Sequence, residues 1–176
     1  SGNNTITFAA DNTTLTASGA TTFCQGGNVT LTSSSSNGNL WSSNSTAQST
    51  IINTSGNYTV TVSDANGCKA TSSATTVTVN SLPTINISGD SSICTGDFTT
   101  ITATGGISYS WSNGANTDTT TVNPTSTTIY TVTVTNANGC SASKNDTVTV
   151  STTPTATITV NGDTAFCIGS STTILN

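Results

Sequence analysis

Five cysteines, at positions 24, 68, 94, 140 and 167, are the side chains whose type and spacing speak most directly to chemistry. No two of them stand at Cys-x-x-Cys spacing and the chain has no His, so no metal centre and no cofactor is expected. Oxidation to disulfides is the chemistry left, and it implies an oxidising compartment. Cys24 is followed seventeen positions later by Trp41, then by Tyr58, then by Asp64-Ala65-Asn66-Gly67-Cys68. Cys94 is followed, again seventeen positions later, by Trp111, then by Tyr130, then by Asn136-Ala137-Asn138-Gly139-Cys140, and Cys167 opens a third copy. Two pairings fit this pattern. Within each copy, Cys24–Cys68 and Cys94–Cys140 would form and Cys167 would stay unpaired; this is preferred because each small unit then carries its own staple. Across a junction, Cys24 would meet Cys140 of the next copy. The second pairing stays open because the two cysteines of one copy fall toward opposite ends of an ordinary sandwich.

Other candidates for chemistry are few. Trp41 and Trp111 can be read as sugar-stacking platforms or as core; core is preferred, since Trp111 alternates with Tyr109 and Ile107 on what reads as a buried face. Tyr58 and Tyr130 join them as expected core residues. Asp64 and Asp97 sit in glycine-containing turns, where calcium would be conceivable, but no Asp-x-Asp-x-Asp-Gly run exists and turn capping is the expectation. Without His or Glu there is no Ser-His-Asp set and no acid pair arranged for glycoside cleavage, so no enzymatic activity is expected.

The elements that must hold these residues are strands. Thr and Ser make up 71 of 176 residues (44 and 27), and they alternate with apolar residues, as in Tyr58-Thr59-Val60-Thr61-Val62. Such alternation gives strands with one wet face, and the β-branched Thr suits them. In the second copy strands are predicted near 84–88, 98–103, 107–112, 119–123, 129–135, 140–144 and 146–151. Asn66-Gly67 marks a hairpin turn. The inward positions are read as Val29, Leu31, Trp41, Ile51, Tyr58, Val60, Val62, Val77 and Val79, and as Ile101, Tyr109, Trp111, Val122, Tyr130, Val132, Val134, Val148 and Val150. The fold class is therefore all-β: tandem immunoglobulin-like β-sandwich repeats of about 70 residues. Pro83 and Pro154 mark the junctions. The expected division is 1–11 as the last strand of a preceding repeat, 12–82 as repeat 1, 83–153 as repeat 2, and 154–176 as the first strands of an incomplete repeat 3. Both ends read as cuts through a domain, with apolar strand faces at 5–10 and 158–175 left to pair with further sequence or a neighbouring chain.

The net charge of −5, from seven Asp against two Lys, argues against nucleic acid. No apolar run approaches the roughly 20 residues that span a bilayer, so no membrane insertion is expected.

The segments FCQGGNVTLT (23–32), LWSS (40–43) and SGNYTVTVSDANGC (55–68), with ICTGDFTTITATGG (93–106), YSWSNG (109–114) and IYTVTVTNANGC (129–140), resemble Ig-like or PKD-like repeats of large Bacteroidota cell-surface proteins, gliding-motility adhesins among them. The resemblance implies export to the cell surface, through the type IX system, and a long extracellular stalk or filament with an adhesive role. Its partners would be other copies of the repeat or chain, with surface polysaccharide as a second class. It also implies O-glycosylation at Asp-Ser/Thr tripeptides, here Thr119, Thr147 and Thr164. Asn136 departs from the Asp usual at that place. The alternatives are a carbohydrate- or cell-binding module, favoured by an exposed aromatic row, and a passive spacer in a large secreted enzyme.

Overall fold

A computed structural model describes residues 13–157. The expected strand at 5–10, Cys167 and Thr164 lie outside the described residues. Every element among them is a strand. The first nine are β1 (Leu15–Ala17), β2 (Thr22–Cys24), β3 (Val29–Ser33), β4 (Asn39–Trp41), β5 (Ser49–Ile52), β6 (Gly56–Tyr58), β7 (Val60–Ser63), β8 (Lys69–Thr71) and β9 (Thr75–Asn80). Seven more complete the set: β10 (Asn86–Ser88), β11 (Ser92–Cys94), β12 (Thr99–Thr104), β13 (Ser108–Trp111), β14 (Thr119–Val122), β15 (Thr128–Thr135) and β16 (Ser141–Ser151).

The second copy shows the architecture in its regular form. One sheet has the order β10-β12-β14 and the facing sheet the order β11-β16-β15-β13. Between them lie Ile85, Ile93, Ile101, Ala103, Trp111, Val122, Tyr130, Val132, Val134 and Val148. The first copy repeats the arrangement with β1-β3-β5 facing β2-β9-β6 and β4-β7-β8, around Val29, Leu31, Trp41, Ile52, Val60 and Val77. Burying each of the larger aliphatic side chains contributes roughly 1.5–3 kcal/mol. This is the all-β, immunoglobulin-like sandwich that the alternation predicts.

The first copy's second sheet breaks because of one inserted residue. Nine positions separate Cys68 from Val77, but eight separate Cys140 from Val148. In β16, Asn145 alone stands opposite Thr131. In the first copy the register runs Thr61↔Thr71 and then Tyr58↔Thr75, which leaves one residue too many against Val60 and Thr59. The extra residue makes a bulge. The Ser72 hydroxyl fills the gap by accepting the Val60 N–H at 3.1 Å. Without the insertion the ladder is continuous, so the two strands expected at 140–144 and 146–151 are one, β16.

The Thr and Ser of the outer faces bond across strands at register partners. Thr61 and Thr71 hydroxyls lie 2.9 Å apart, Thr133 and Ser143 2.9 Å, Thr100 and Thr121 3.0 Å, and Thr32 and Ser49 2.9 Å. Such cross-strand pairs contribute roughly 0.2–1 kcal/mol each. The Thr richness therefore stitches the sheets as well as wetting them.

Two expected core positions need correction. Ile51 is 69% exposed and Ile52 is buried. The register explains it: Ile52 stands opposite Val29 and Ile51 opposite Thr30, and directly opposed residues share a face. Ile107 is 74% exposed, because β13 begins at Ser108, opposite the last residue of β15, and Ile107 lies past the end of the core. Tyr58 packs partly buried against the core, with its hydroxyl turned out to Thr54 at 2.8 Å. Ile52→Ala should lower unfolding free energy by about 2–5 kcal/mol, whereas Ile51→Ala should change it by less than about 1 kcal/mol. Urea denaturation followed by Trp fluorescence measures both; equal losses would contradict the register.

Candidate functional site: a covalent joint between the sandwiches

The short strands β2 and β11, which the sequence did not announce, decide where the first cysteine of each copy goes. Each adds in parallel to the last strand of its sandwich, β2 to β9 with Cys24 level with Asn80, and β11 to β16 with Cys94 level with Ser151. Both cysteines therefore reach the trailing end, where the chain runs out toward Pro83 or Pro154. The turn after the cysteine is the same in both copies. Gly27 N–H donates to Cys24 O and Asp97 N–H to Cys94 O, both at 3.0 Å, with Gly26 at φ 95° and Gly96 at φ 96°. Such a φ favours glycine.

The hairpin cysteines sit at the other, leading end. Asp64 Oδ1 accepts the N–H groups of Asn66 and Cys68, both at 2.8 Å, and Asn136 Oδ1 accepts those of Asn138 and Cys140, both at 3.0 Å. Asp64 thus caps its turn as expected. Asp97 contributes backbone bonds, its carbonyl accepting from Asn123 Nδ2 at 2.7 Å.

These placements overturn the preferred pairing. Cys140 lies just before the eleven-residue β16 and Cys94 is level with its last residue, roughly 35 Å away at the rise of a strand. A disulfide requires Cα atoms within about 7 Å. The bridge formed is Cys24–Cys140, with Cα atoms 5.6 Å apart across a sequence separation of 116. It joins the trailing end of the first sandwich to the leading hairpin of the second. Cys68 and Cys94 are free and exposed, and Cys140 is buried.

Polar contacts support the bridge. Gln25 N–H donates to Asn80 O at 2.8 Å, holding β2 to the strand that leads into the linker. Asn136 Nδ2 donates to Ser81 O at 2.8 Å, from the second hairpin to the linker itself. Lys144 Nζ donates to Ile85 O at 3.1 Å. Asn136 therefore works in two directions: its amide oxygen closes the turn and its amide nitrogen grips the linker. A carboxylate closes the turn equally well but has no proton for Ser81. That is the physical content of the Asp-to-Asn departure in the second copy.

The remaining candidates lie away from the joint. Trp41 and Trp111 are 1% and 3% exposed, with Nε1 donating to Ala47 O at 2.8 Å and Thr117 O at 3.0 Å, so neither offers a ring face to a sugar. Thr119 opens β14 and Thr147 lies in β16, both exposed. Among the described residues no group of three or more Cys or Asp side chains could hold a metal ion. Sequence reasoning missed Ser81 and the linker clamp; the signal for the bridge was the strand length separating the two cysteines of one copy.

No family model matches the chain, and no curated protein is similar to it in sequence. Among solved structures, the chain is similar to fibronectin(III)-like modules of Clostridium thermocellum CbhA, at 12% identity over 78% of this chain and 94% of that one, with a TM-score of 0.35. It is similar to the Ca2+-stabilized adhesin with which an Antarctic bacterium binds ice, at 18% identity over 89% of this chain and 53% of that one, with a TM-score of 0.38. It is also similar to a Bacteroides ovatus glucan-utilization protein solved with a mixed-linkage heptasaccharide, at 19% identity over 82% and 46%, with a TM-score of 0.26. None of these likenesses carries a function across. The sheets define the class: a tandem pair of immunoglobulin-like sandwiches joined by a disulfide.

Asn136→Asp should leave both sandwiches folded and loosen the joint. Losing a hydrogen bond worth about 1 kcal/mol corresponds to roughly a fivefold shift toward reduction of Cys24–Cys140 in a glutathione buffer. Mass spectrometry of alkylated samples reads the ratio; an unchanged equilibrium would show that the Asn136–Ser81 bond does not hold the joint.

Proposed function

We propose that the chain is a structural repeat module of a long extracellular stalk or filament, of the kind borne by Bacteroidota surface adhesins and exported by the type IX route. The observation that carries this reading is the position of the bridge. A disulfide inside a sandwich defends a fold, whereas Cys24–Cys140 fixes the angle between two sandwiches. Two domains on a short linker otherwise bend freely against one another. An acidic chain whose cysteine is oxidised suits an extracellular setting. An adhesive role would then belong to whatever the stalk presents. The binding-module alternative has less support, because of the large apolar side chains exposed among the described residues only Phe98 is aromatic.

Stretching a single chain tests the mechanism. A pull applied before β1 and after β16 passes through Cys24–Cys140 and bypasses the 116 positions between them. Adding reductant should therefore release roughly 400 Å of further contour length, at about 3.5 Å per residue. Equal extension with and without reductant would remove the mechanical basis of the reading.

Glycosylation at Thr119 and Thr147, and at Thr164, belongs to the same proposal. The hydroxyls of Thr119 and Thr147 are exposed on strands, where a sugar would shield the sheet from proteases and from unwanted pairing. Natively produced material should show hexose-type mass at these threonines; an intact mass equal to the bare chain would eliminate the glycans.

A further inference from the structure

The two sulfurs of the joint are not equivalent toward an outside thiol. Cys140 is fully buried, at 0% exposure, whereas Cys24 is half-buried at the end of β2 and is followed by the exposed Gln25 and Gly26. Cys140 Sγ meets the trailing end of the first sandwich, 3.9 Å from the carbonyl oxygen of Asn80, the last residue of β9. Asn80 is also level with Cys24 in the β2–β9 ladder. The hairpin fixes Cys140 from its own side: Asn136 Oδ1 accepts the Cys140 N–H at 3.0 Å and the Cys140 carbonyl accepts the Asn136 N–H at 2.9 Å. Both sulfurs and the whole linker between the sandwiches lie within the described residues.

The linker is seated on the second sandwich by contacts that involve no sulfur. Ser81 O accepts from Asn136 Nδ2 and Ile85 O from Lys144 Nζ, and Ile85 belongs to the second core. Between those two points the Thr84 carbonyl lies against Gly105, where a Cβ would collide with it and where φ is 115°. Asn80, one residue before Ser81, is still part of the first sandwich through β9. The step from Asn80 to Ser81 is therefore where the chain passes from one sandwich to the other.

We propose that the joint is a thiol-operated hinge with a single point of entry, the sulfur of Cys24. Thiol–disulfide exchange proceeds at the sulfur that the attacking thiolate can reach. A small thiol of the glutathione class attacks Cys24 Sγ and forms a mixed disulfide there. The Cys24–Cys140 bond breaks, and its electron pair leaves on Cys140. Cys140 takes up the proton given up by the attacking thiol, and its new S–H has Asn80 O as an acceptor. A second small thiol attacks the outer sulfur of the mixed disulfide and frees Cys24, which takes up the second proton. Two small thiols are thereby oxidised to one disulfide, and the two cysteines are reduced. In the closing direction the Cys140 thiolate attacks Cys24 of the mixed disulfide. That step is intramolecular, because the seated linker keeps Asn80, and Cys24 level with it, within reach of Cys140. Opening frees the angle at the Asn80–Ser81 step and leaves both sandwiches as they are.

The proposal rests on the bridge and not on the stalk reading, since it concerns which sulfur exchanges, whereas stretching reports what the bridge holds. The two lysines make the test direct. Trypsin cuts after Lys69 and Lys144, so Cys24 falls in peptide 1–69 and Cys140 in peptide 70–144. The protein carries Cys68→Ser, Cys94→Ser and Cys167→Ser, which leaves the bridge as the only place for exchange. It is held in a glutathione buffer at the midpoint of its reduction, quenched with acid and a maleimide, unfolded and digested. Mass spectrometry should find at least about tenfold more glutathione on peptide 1–69 than on peptide 70–144. A second measurement decides the matter where adducts on the bridged protein are too few to count. On the same background, Cys140→Ser leaves Cys24 as the lone thiol and Cys24→Ser leaves Cys140. With oxidised glutathione the first should react about tenfold faster under native conditions, and the two should react equally in urea. Equal glutathione on the two peptides, an excess on peptide 70–144, or equal native rates would each overturn the proposal.

Discussion

The parallel addition of a three-residue strand to the last strand of each sandwich is the constraint on which the rest depends. Antiparallel neighbours need only a hairpin, but β2 and β11 must lie alongside strands that come more than fifty residues later. The pairing does two things at once. It extends the second sheet by one strand, bringing Ile93 into the core, where it is buried. It also fixes the first cysteine of the copy against the point where the chain departs. From there the cysteine faces the next sandwich, and the element that sandwich presents to it is the leading hairpin.

Placing the disulfide at the joint leaves each sandwich to hold itself together by other means. The apolar stripes are narrow: among the described residues the first cluster has six buried apolar side chains and the second ten. Hydroxyl pairs on the outer faces and tryptophan side chains bonded to nearby backbone add to the apolar burial in both sandwiches. The bulge at residues 72–74 is where the first sandwich is least regular, and there a serine side chain substitutes for the ladder. By the chain-entropy estimate, a loop of this length closed by a disulfide is restricted by about 5 kcal/mol in the unfolded state. That stabilisation reaches both sandwiches although it sits in neither.

The fold was legible because it rests on local pattern. Alternation around Val29, Leu31, Val60, Val132 and Val148, the mid-repeat tryptophans and the Asn-Gly turns each report on residues a few positions away. The site was less legible because it rests on register and on long-range pairing. Nothing in Thr22-Phe23-Cys24 distinguishes an isolated loop from a strand parallel to β9. Ile51 and Ile52 are interchangeable in composition, and only the partner strand decides between them. The opposed ends of the two cysteines in one copy could be read from the sequence. The preference for a staple in each repeat ran against that geometry, and the length of β16 shows why it fails.

Asn136 shows how a repeat can be tuned without changing its fold. Both turn-closing bonds need only an acceptor, and Asp64 and Asn136 supply it equally. The choice between them is therefore free of the hairpin's own requirements and falls to the neighbouring sandwich. An amide there adds a donor aimed at the linker carbonyl of Ser81, whereas a carboxylate would bring a charged acceptor against another acceptor. A leading hairpin with Asn accordingly grips the linker before it, and one with Asp has no such donor to offer. The stiffness of an array built this way would vary from joint to joint through a single oxygen-for-nitrogen exchange, with every sandwich unchanged.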